Sequence, residues 1–155
     1  MVIEIVNYPD KLPVIRYFRD DGTVVWQPVN SFFVLHDLAH YALEKVLGFR
    51  TAFLGLVNQG LHPQDFEEAE KRKAISLTAE AWNAENMANL FLTEWAQGEW
   101  DDFNQVAAAA YAQQHDPGSF RPLSSAEIFS IRQLIRDLFQ QWEHLPEDEK
   151  MILSF

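Results

Sequence analysis

The sequence predicts an α+β domain in which a small antiparallel sheet, an N-terminal hairpin plus a C-terminal strand, packs with about four helices. Three observations predict it. Short β-branched, alternating runs crowd the first 28 residues, helical periodicities fill the middle, and Met151-Ile152-Leu153-Ser154-Phe155 closes the chain as a strand able to return to the N-terminal sheet. The 155 residues, 48% hydrophobic and 14% aromatic, can bury a core as a single domain over 1–155.

Val2 to Val6 alternates, as does Leu12 to Arg19, and Val24-Val25-Trp26 follows the turn Asp20-Asp21-Gly22. This gives two or three strands before residue 28, with Gly22 free to take the positive φ that a hairpin needs. Pro9, Pro13 and Pro28 fall at strand ends, where a missing N–H does little harm. Asn30 or Ser31 then caps a helix over 32–47, and Gly48 stops it.

The glycine-punctuated segment Phe49–Gly60 reads as a short helix covering one end of that central helix. His62-Pro63 opens a charged helix over 64–75, and Lys71-Arg72-Lys73, following Glu67, Glu68 and Glu70, reads as its solvated face. Thr78 precedes a helix to about Gln97, whose apolar face carries Ala81, Ala84, Met87, Ala88, Phe91, Leu92 and Trp95. Gly98 ends it. Asp101 or Asp102 caps another helix to about Gln114, and His115–Ser119 forms a turn-rich loop. Ser124 with Glu127 makes a capping box before the clearest amphipathic helix, Ile128 to Trp142.

Charge narrows the partners. A net charge of −11 and a pI near 4.7 repel nucleic acid and anionic membrane surfaces. The absence of cysteine excludes disulfides, thiolate nucleophiles and cysteine-based metal sites, so any metal must use histidine and carboxylate. The start lacks a leader pattern and no apolar run is long enough to span a bilayer, which predicts a soluble cytoplasmic protein.

The chemistry concentrates in Leu35-His36-Asp37-Leu38-Ala39-His40-Tyr41-Ala42-Leu43-Glu44. On a helical wheel His36, Asp37, His40 and Glu44 share one arc of about 100°, and the rest of the cylinder is apolar apart from Lys45. A helix apolar nearly all round is buried, so its ionisable stripe needs partners or a metal ion. Residues four apart have Cβ atoms about 5–6 Å apart, which lets His36 and His40 converge on one ion, zinc foremost. Glu44 repeats the spacing with an oxygen ligand, and Asp37 is the candidate base that activates water. Glu80 lies within the apolar arc of the 78–97 helix and Glu85 on its edge, with Asn89 close by; Glu85 or Glu80 is a candidate further ligand.

His36-Asp37-x-x-His40 resembles the HExxH helix of zinc metallopeptidases, with Asp for Glu. That resemblance implies a third ligand from a Glu on a following helix, a part open to Glu85 or Glu80. Val34–His40 is also similar to the central helix of the metal-dependent phosphohydrolases named for their His-Asp pair, although no His precedes His36 and strands stand where those enzymes have an earlier helix. Over most of its length the chain resembles a group of small, uncharacterised bacterial proteins, through His36-Asp37-Leu38-x-His40-x-x-x-Glu44, Phe53-x-Gly55-Leu56-x-x-x-Gly60, Ala84-Glu85-x-x-x-Asn89, and Trp142 with Leu145 before Ile152–Phe155. It implies a shared site between the two helices and says nothing of substrate.

Two functions of different kind follow. One is a small metal-dependent hydrolase for a small-molecule or peptide substrate, in which a chain this short binds a small ligand or dimerises to complete its cleft. The other is a non-catalytic structural or protein-interaction domain with a buried polar network, its polar atoms paired internally. Elsewhere His62 and His115 read as surface residues, Trp82, Trp95, Trp100 and Trp142 as core, and Asp101-Asp102 as a cap.

Overall fold

A computed structural model describes residues 1–67, 78–113 and 120–155. Strands β1 (Val2–Val6), β2 (Val14–Phe18) and β3 (Val24–Pro28) form the N-terminal part of the sheet, and β4 (Lys150–Ser154) completes it. The order is β3-β2-β1-β4, with every neighbour antiparallel, so the C-terminal strand pairs with the first. Gly22 has φ 84° in the β2–β3 turn, as the hairpin requires.

The strands alternate as their residues do. Ile3, Ile5, Ile15, Tyr17, Val25, Met151 and Leu153 point inward and are buried, and the intervening positions form the outer face. On the inner face lies α1 (Ser31–Leu47), capped by the Asn30 side chain accepting from the Phe33 N–H and ended by Gly48 at φ 67°. Its buried residues Val34, Leu38, Ala39, Ala42 and Leu43 make it the centre of the core. The Tyr41 hydroxyl donates to the Ser154 carbonyl at 2.9 Å and ties the helix to β4.

Two long helices, α4 (Ala79–Gln97) and α6 (Ser125–Glu143), pack against α1. Between α1 and α4 the chain forms α2 (Phe53–Asn58) and α3 (Gln64–Glu67), while α5 (Phe103–Ala112) precedes α6. The described residues thus carry six helices where about four were expected, the short helix read in Phe49–Gly60 and the start of the one read from 64 among them. Thr78, Asp102 and Ser124 cap α4, α5 and α6, and the Ser124–Glu127 capping box closes in both directions. Most of the predicted 64–75 helix, the basic cluster Lys71–Lys73 and the loop with His115 lie outside the described residues.

One expectation needs correction, and one buried carboxylate was not foreseen. Trp82 and Trp95, read as core, are 38% and 42% exposed, because α4 is covered along one face only; Trp142 is buried as expected. A second surprise is Glu94, 3% exposed on the inner side of α4, where it accepts two hydrogen bonds from the Arg132 guanidinium and one from the Trp100 N–H. That bidentate pair lets α4 and α6 pack around a carboxylate. No helix of the described residues is long and apolar enough to cross a membrane.

Candidate metal centre

Four of the five predicted site residues belong to α1, and the fifth, Glu85, is brought to them by α4. Because α1 and α4 pack side by side, the stripe of α1 meets the Glu85 carboxylate. His40 Nε2 lies 3.3 Å from Glu85 Oε2, and His36 Nε2 lies 3.8 Å from Glu85 Oε1. The ring centroids of the two histidines are 4.7 Å apart. One ligand atom from each of His36, His40 and Glu85 falls within 4.8 Å of the others. For comparison, tetrahedral zinc with bonds of about 2.0–2.1 Å sets its ligand atoms about 3.3 Å apart.

Both imidazoles present their other nitrogen to a carboxylate on α1. His40 Nδ1 is 3.1 Å from Glu44 Oε1, and His36 Nδ1 is 3.7 Å from Asp37 Oδ1. An ionised carboxylate only accepts, so the His40 contact assigns a proton to Nδ1 and leaves Nε2 turned toward Glu85. This is the arrangement in which a carboxylate fixes the tautomer of a metal-ligating histidine.

Glu44 is fully buried and occupies this position for a local reason. Helix α2 starts at Ala52, which has no side chain to cap it, and the Leu54 and Gly55 N–H groups donate instead to the Glu44 carboxylate at 3.1–3.4 Å. That close seat requires Gly55, since a Cβ there would come 2.1 Å from the Arg50 carbonyl oxygen. Glu44, expected as an oxygen ligand, thus stands behind His40 and not beside Glu85. Its contact is with the rear nitrogen of the His40 ring.

Asp37 also has a defined holder: the Tyr17 hydroxyl donates to its Oδ2 at 2.6 Å. The carboxylate lines the cavity wall while its other oxygen faces the Nδ1 side of His36. Glu80 goes elsewhere. Its carboxylate accepts from the Arg50 and Thr51 N–H groups and the Thr51 hydroxyl, fixing the turn after α1. Of the two candidates on α4, the structure therefore brings Glu85 to the stripe and leaves Glu80 out. His62 is exposed in its loop.

Burial depresses the basicity of His40, but the hydrogen bonds and charges of Glu44 and Glu85 outweigh it and raise its pKa to about 10. His36 shows the same balance, burial against Asp37 and Glu85, and its pKa is raised. For Glu85, burial pushes the pKa up, yet the two histidines beside it hold the carboxyl well below the usual range. Asn89 steadies Glu85 by donating to its Oε1 at 3.0 Å.

A cavity of about 370 Å³ opens in front of this group. Phe32, Phe33, Phe53, Pro63 and Phe66 make its walls apolar, and Gln27, Asp37, His36, His40, Glu85 and Asn89 supply its polar atoms. His40 is 2% exposed and His36 16%, whereas the Glu85 side chain is half exposed at the mouth. Sequence reasoning missed Tyr17, Gln27 and the aromatic walls. Tyr17 had a signal, because a tyrosine at an inward strand position must find a partner for its hydroxyl. Among the described residues every buried side-chain polar atom has a hydrogen-bond partner.

Comparison with protein-family models, with curated proteins and with solved structures gave no match, so the geometry of His36, His40 and Glu85 is the ground on which function is argued.

Proposed function

We propose that His36, His40 and Glu85 hold one divalent metal ion, zinc foremost, and that the protein is a small metal-dependent hydrolase for a compact, largely apolar substrate. The observation that carries this reading is the convergence of two imidazole Nε2 atoms and one carboxylate on the wall of a cavity, with the rear nitrogen of His40 held by a buried carboxylate. Two histidines and one glutamate leave positions open for water and substrate, the donor set of a catalytic rather than a structural zinc. An ion held by His36, His40 and Glu85 would supply Lewis-acid polarisation of an acyl or phosphoryl oxygen and would lower the pKa of water beside it.

The protein's own groups then have separate tasks. Glu44 and Asp37 orient the two rings from behind, Tyr17 fixes Asp37, and Asn89 fixes one oxygen of Glu85. Asp37, facing His36 Nδ1 while lining the cavity, is placed to orient a ligand first and to exchange a proton with water in the cavity second. The phenylalanine walls exclude bulk water and favour an apolar substrate body.

The test is elemental analysis of the purified, untagged protein beside His36→Ala/His40→Ala, followed by zinc reconstitution and a panel of small aryl esters, amides and phosphate esters. About one equivalent of metal in the parent, lost in a folded variant, with hydrolysis that follows metal content, is the expected result. No metal as purified and none taken up would overturn the reading. The rival is a closed polar network with no ligand, which the full pairing of buried polar atoms favours. It predicts no metal uptake and a large stability loss in the double variant.

A further inference from the structure

The outer face of the sheet carries a pattern that the site does not use. A solvated sheet face normally alternates polar residues outward, but here Val2, Phe18, Val24, Trp26 and Ile152 stand on it at 38–60% exposure, with Leu12 beside Trp26 at 54%. Together they expose on the order of 500 Å² of apolar surface, at the upper end of what a monomer's largest patch reaches. Three charged groups share the face, two in its middle and one on the edge strand β4. Arg16 pairs with Glu4, and Lys150 reaches the same carboxylate at 2.7 Å.

The register gives this face a symmetry. One row across the sheet runs Trp26, Arg16, Glu4, Ile152; the row on one side runs Val24, Phe18, Val2, Ser154, and the row on the other runs Pro28, Val14, Val6, Lys150. A two-fold axis lying along the strands between β1 and β2 turns each row end for end onto a second copy. Trp26 then meets Ile152, Arg16 meets Glu4, Phe18 meets Val2 and Val14 meets Val6, while Val24 meets Ser154 and Lys150, paired with Glu4 of its own chain, meets Pro28; the central pairs are apolar on apolar and cation on carboxylate.

We infer that this face joins two copies of the chain as an isologous, sheet-on-sheet dimer. The chain is strongly acidic, yet the outward positions of the strands carry two cations, Arg16 and Lys150, against the single carboxylate of Glu4. Two copies that meet there escape most of the repulsion that the chain's net charge imposes. With the charged row and the flanking Tyr8 and Pro28 included, its area reaches about the 800 Å² per partner of a standard interface. The cavity of the metal centre lies on the other side of the sheet, with α1, so each copy keeps its own site.

The test exploits the absence of native cysteine. Sedimentation of the full chain at 10–200 µM (about the range that separates micromolar dimers from monomers) should give twice 18.0 kDa, and Trp26→Glu should give a folded monomer. Trp26→Cys and Ile152→Cys, mixed and treated with a bis-maleimide of about 10 Å reach, should cross-link to each other. Neither variant alone should, because facing sheets lie about 10 Å apart while residues three strands away are offset by about 14 Å more. A monomer throughout the range overturns the inference. So does a dimer that persists in Trp26→Glu, or one in which Trp26→Cys cross-links to itself, which would place a different surface at the axis.

Discussion

Glu44→Gln is the sharpest probe of the proposed metal centre, because it removes one charge and changes almost no volume. The carboxylate is fully buried and accepts from the protonated Nδ1 of His40, from the Leu54 N–H and, more weakly, from the Gly55 N–H. An amide keeps one acceptor and turns the other into a donor. If its oxygen faces His40, its NH2 confronts two backbone donors; if its nitrogen faces His40, Nδ1 must give up its proton and the one that remains sits on Nε2, the nitrogen a metal needs. Breaking a buried pair costs about 3–5 kcal/mol when one partner is deleted outright, and the retained amide oxygen and the remaining Glu85 contact reduce this to about 2–3 kcal/mol.

For a chain of this length that corresponds to a fall in Tm of about 5–10 °C, measured in chelator so that metal does not contribute. Zinc affinity, titrated calorimetrically on the same variant, should weaken by about 10–100-fold, the usual effect of losing a carboxylate behind a ligating histidine. A variant that melts with the parent and binds zinc as tightly would refute the assignment of Glu44 as the support of His40.

Gly55→Ala should lower stability by about 1–3 kcal/mol in urea unfolding, since the added methyl must push α2 away from Arg50; an unperturbed variant would deny the close approach. Zinc affinity should rise with pH from 6 to 9 by about tenfold per unit for each proton expelled, because His40, with its pKa raised to about 10, must shed its proton to bind; a flat profile would contradict this. The Arg121 guanidinium and the Ser124 N–H depress the pKa of Glu127 to about 2, so its contribution is present above the unfolded value of 4.5 and is lost as pH falls through about 2. Glu127→Gln should therefore cost about 1 kcal/mol at pH 7 and progressively less as pH falls through about 2, and a cost that does not change with pH would count against the ionised Glu127 contacts.

The elements were legible wherever a local rule decides them. Alternation marked β1 and β2 and the turn at Gly22 marked β3; Asn30 or Ser31, Thr78, Asp101 or Asp102, and Ser124 marked helix starts, and Gly48 marked a stop, because caps and turns are satisfied within a few residues of themselves. The order β3-β2-β1-β4 was only partly visible, since the final strand could be seen as returning to the N-terminal sheet but not as the neighbour of β1. In the site the wheel of α1 placed His36, Asp37, His40 and Glu44 on one side, but wheel position does not tell a ligand from its support. The rear position of Glu44 depends on α2 arriving with a bare N-terminus, and the choice of Glu85 over Glu80 depends on Glu80 being occupied by the turn at Arg50 and Thr51. Both are tertiary events. The exposure of Trp82 and Trp95 has the same origin, for periodicity names the apolar face of α4 without saying how wide its cover will be.

Strand β1 sits inside the sheet and has β4 as one of its two neighbours, so a newly made chain carries Val2–Val6 as an open edge until Lys150–Ser154 has emerged. At ribosomal rates of about 5–20 residues per second, that interval is on the order of ten seconds. During it an apolar, β-branched edge is free to pair with any other strand, including the same segment of a neighbouring nascent chain. Helices α1, α4 and α6 can form locally in that time, but the layer they rest on is incomplete. Folding is thus committed late, and residues 150–154 decide whether residues 2–6 become the middle of a sheet or a seed for aggregation.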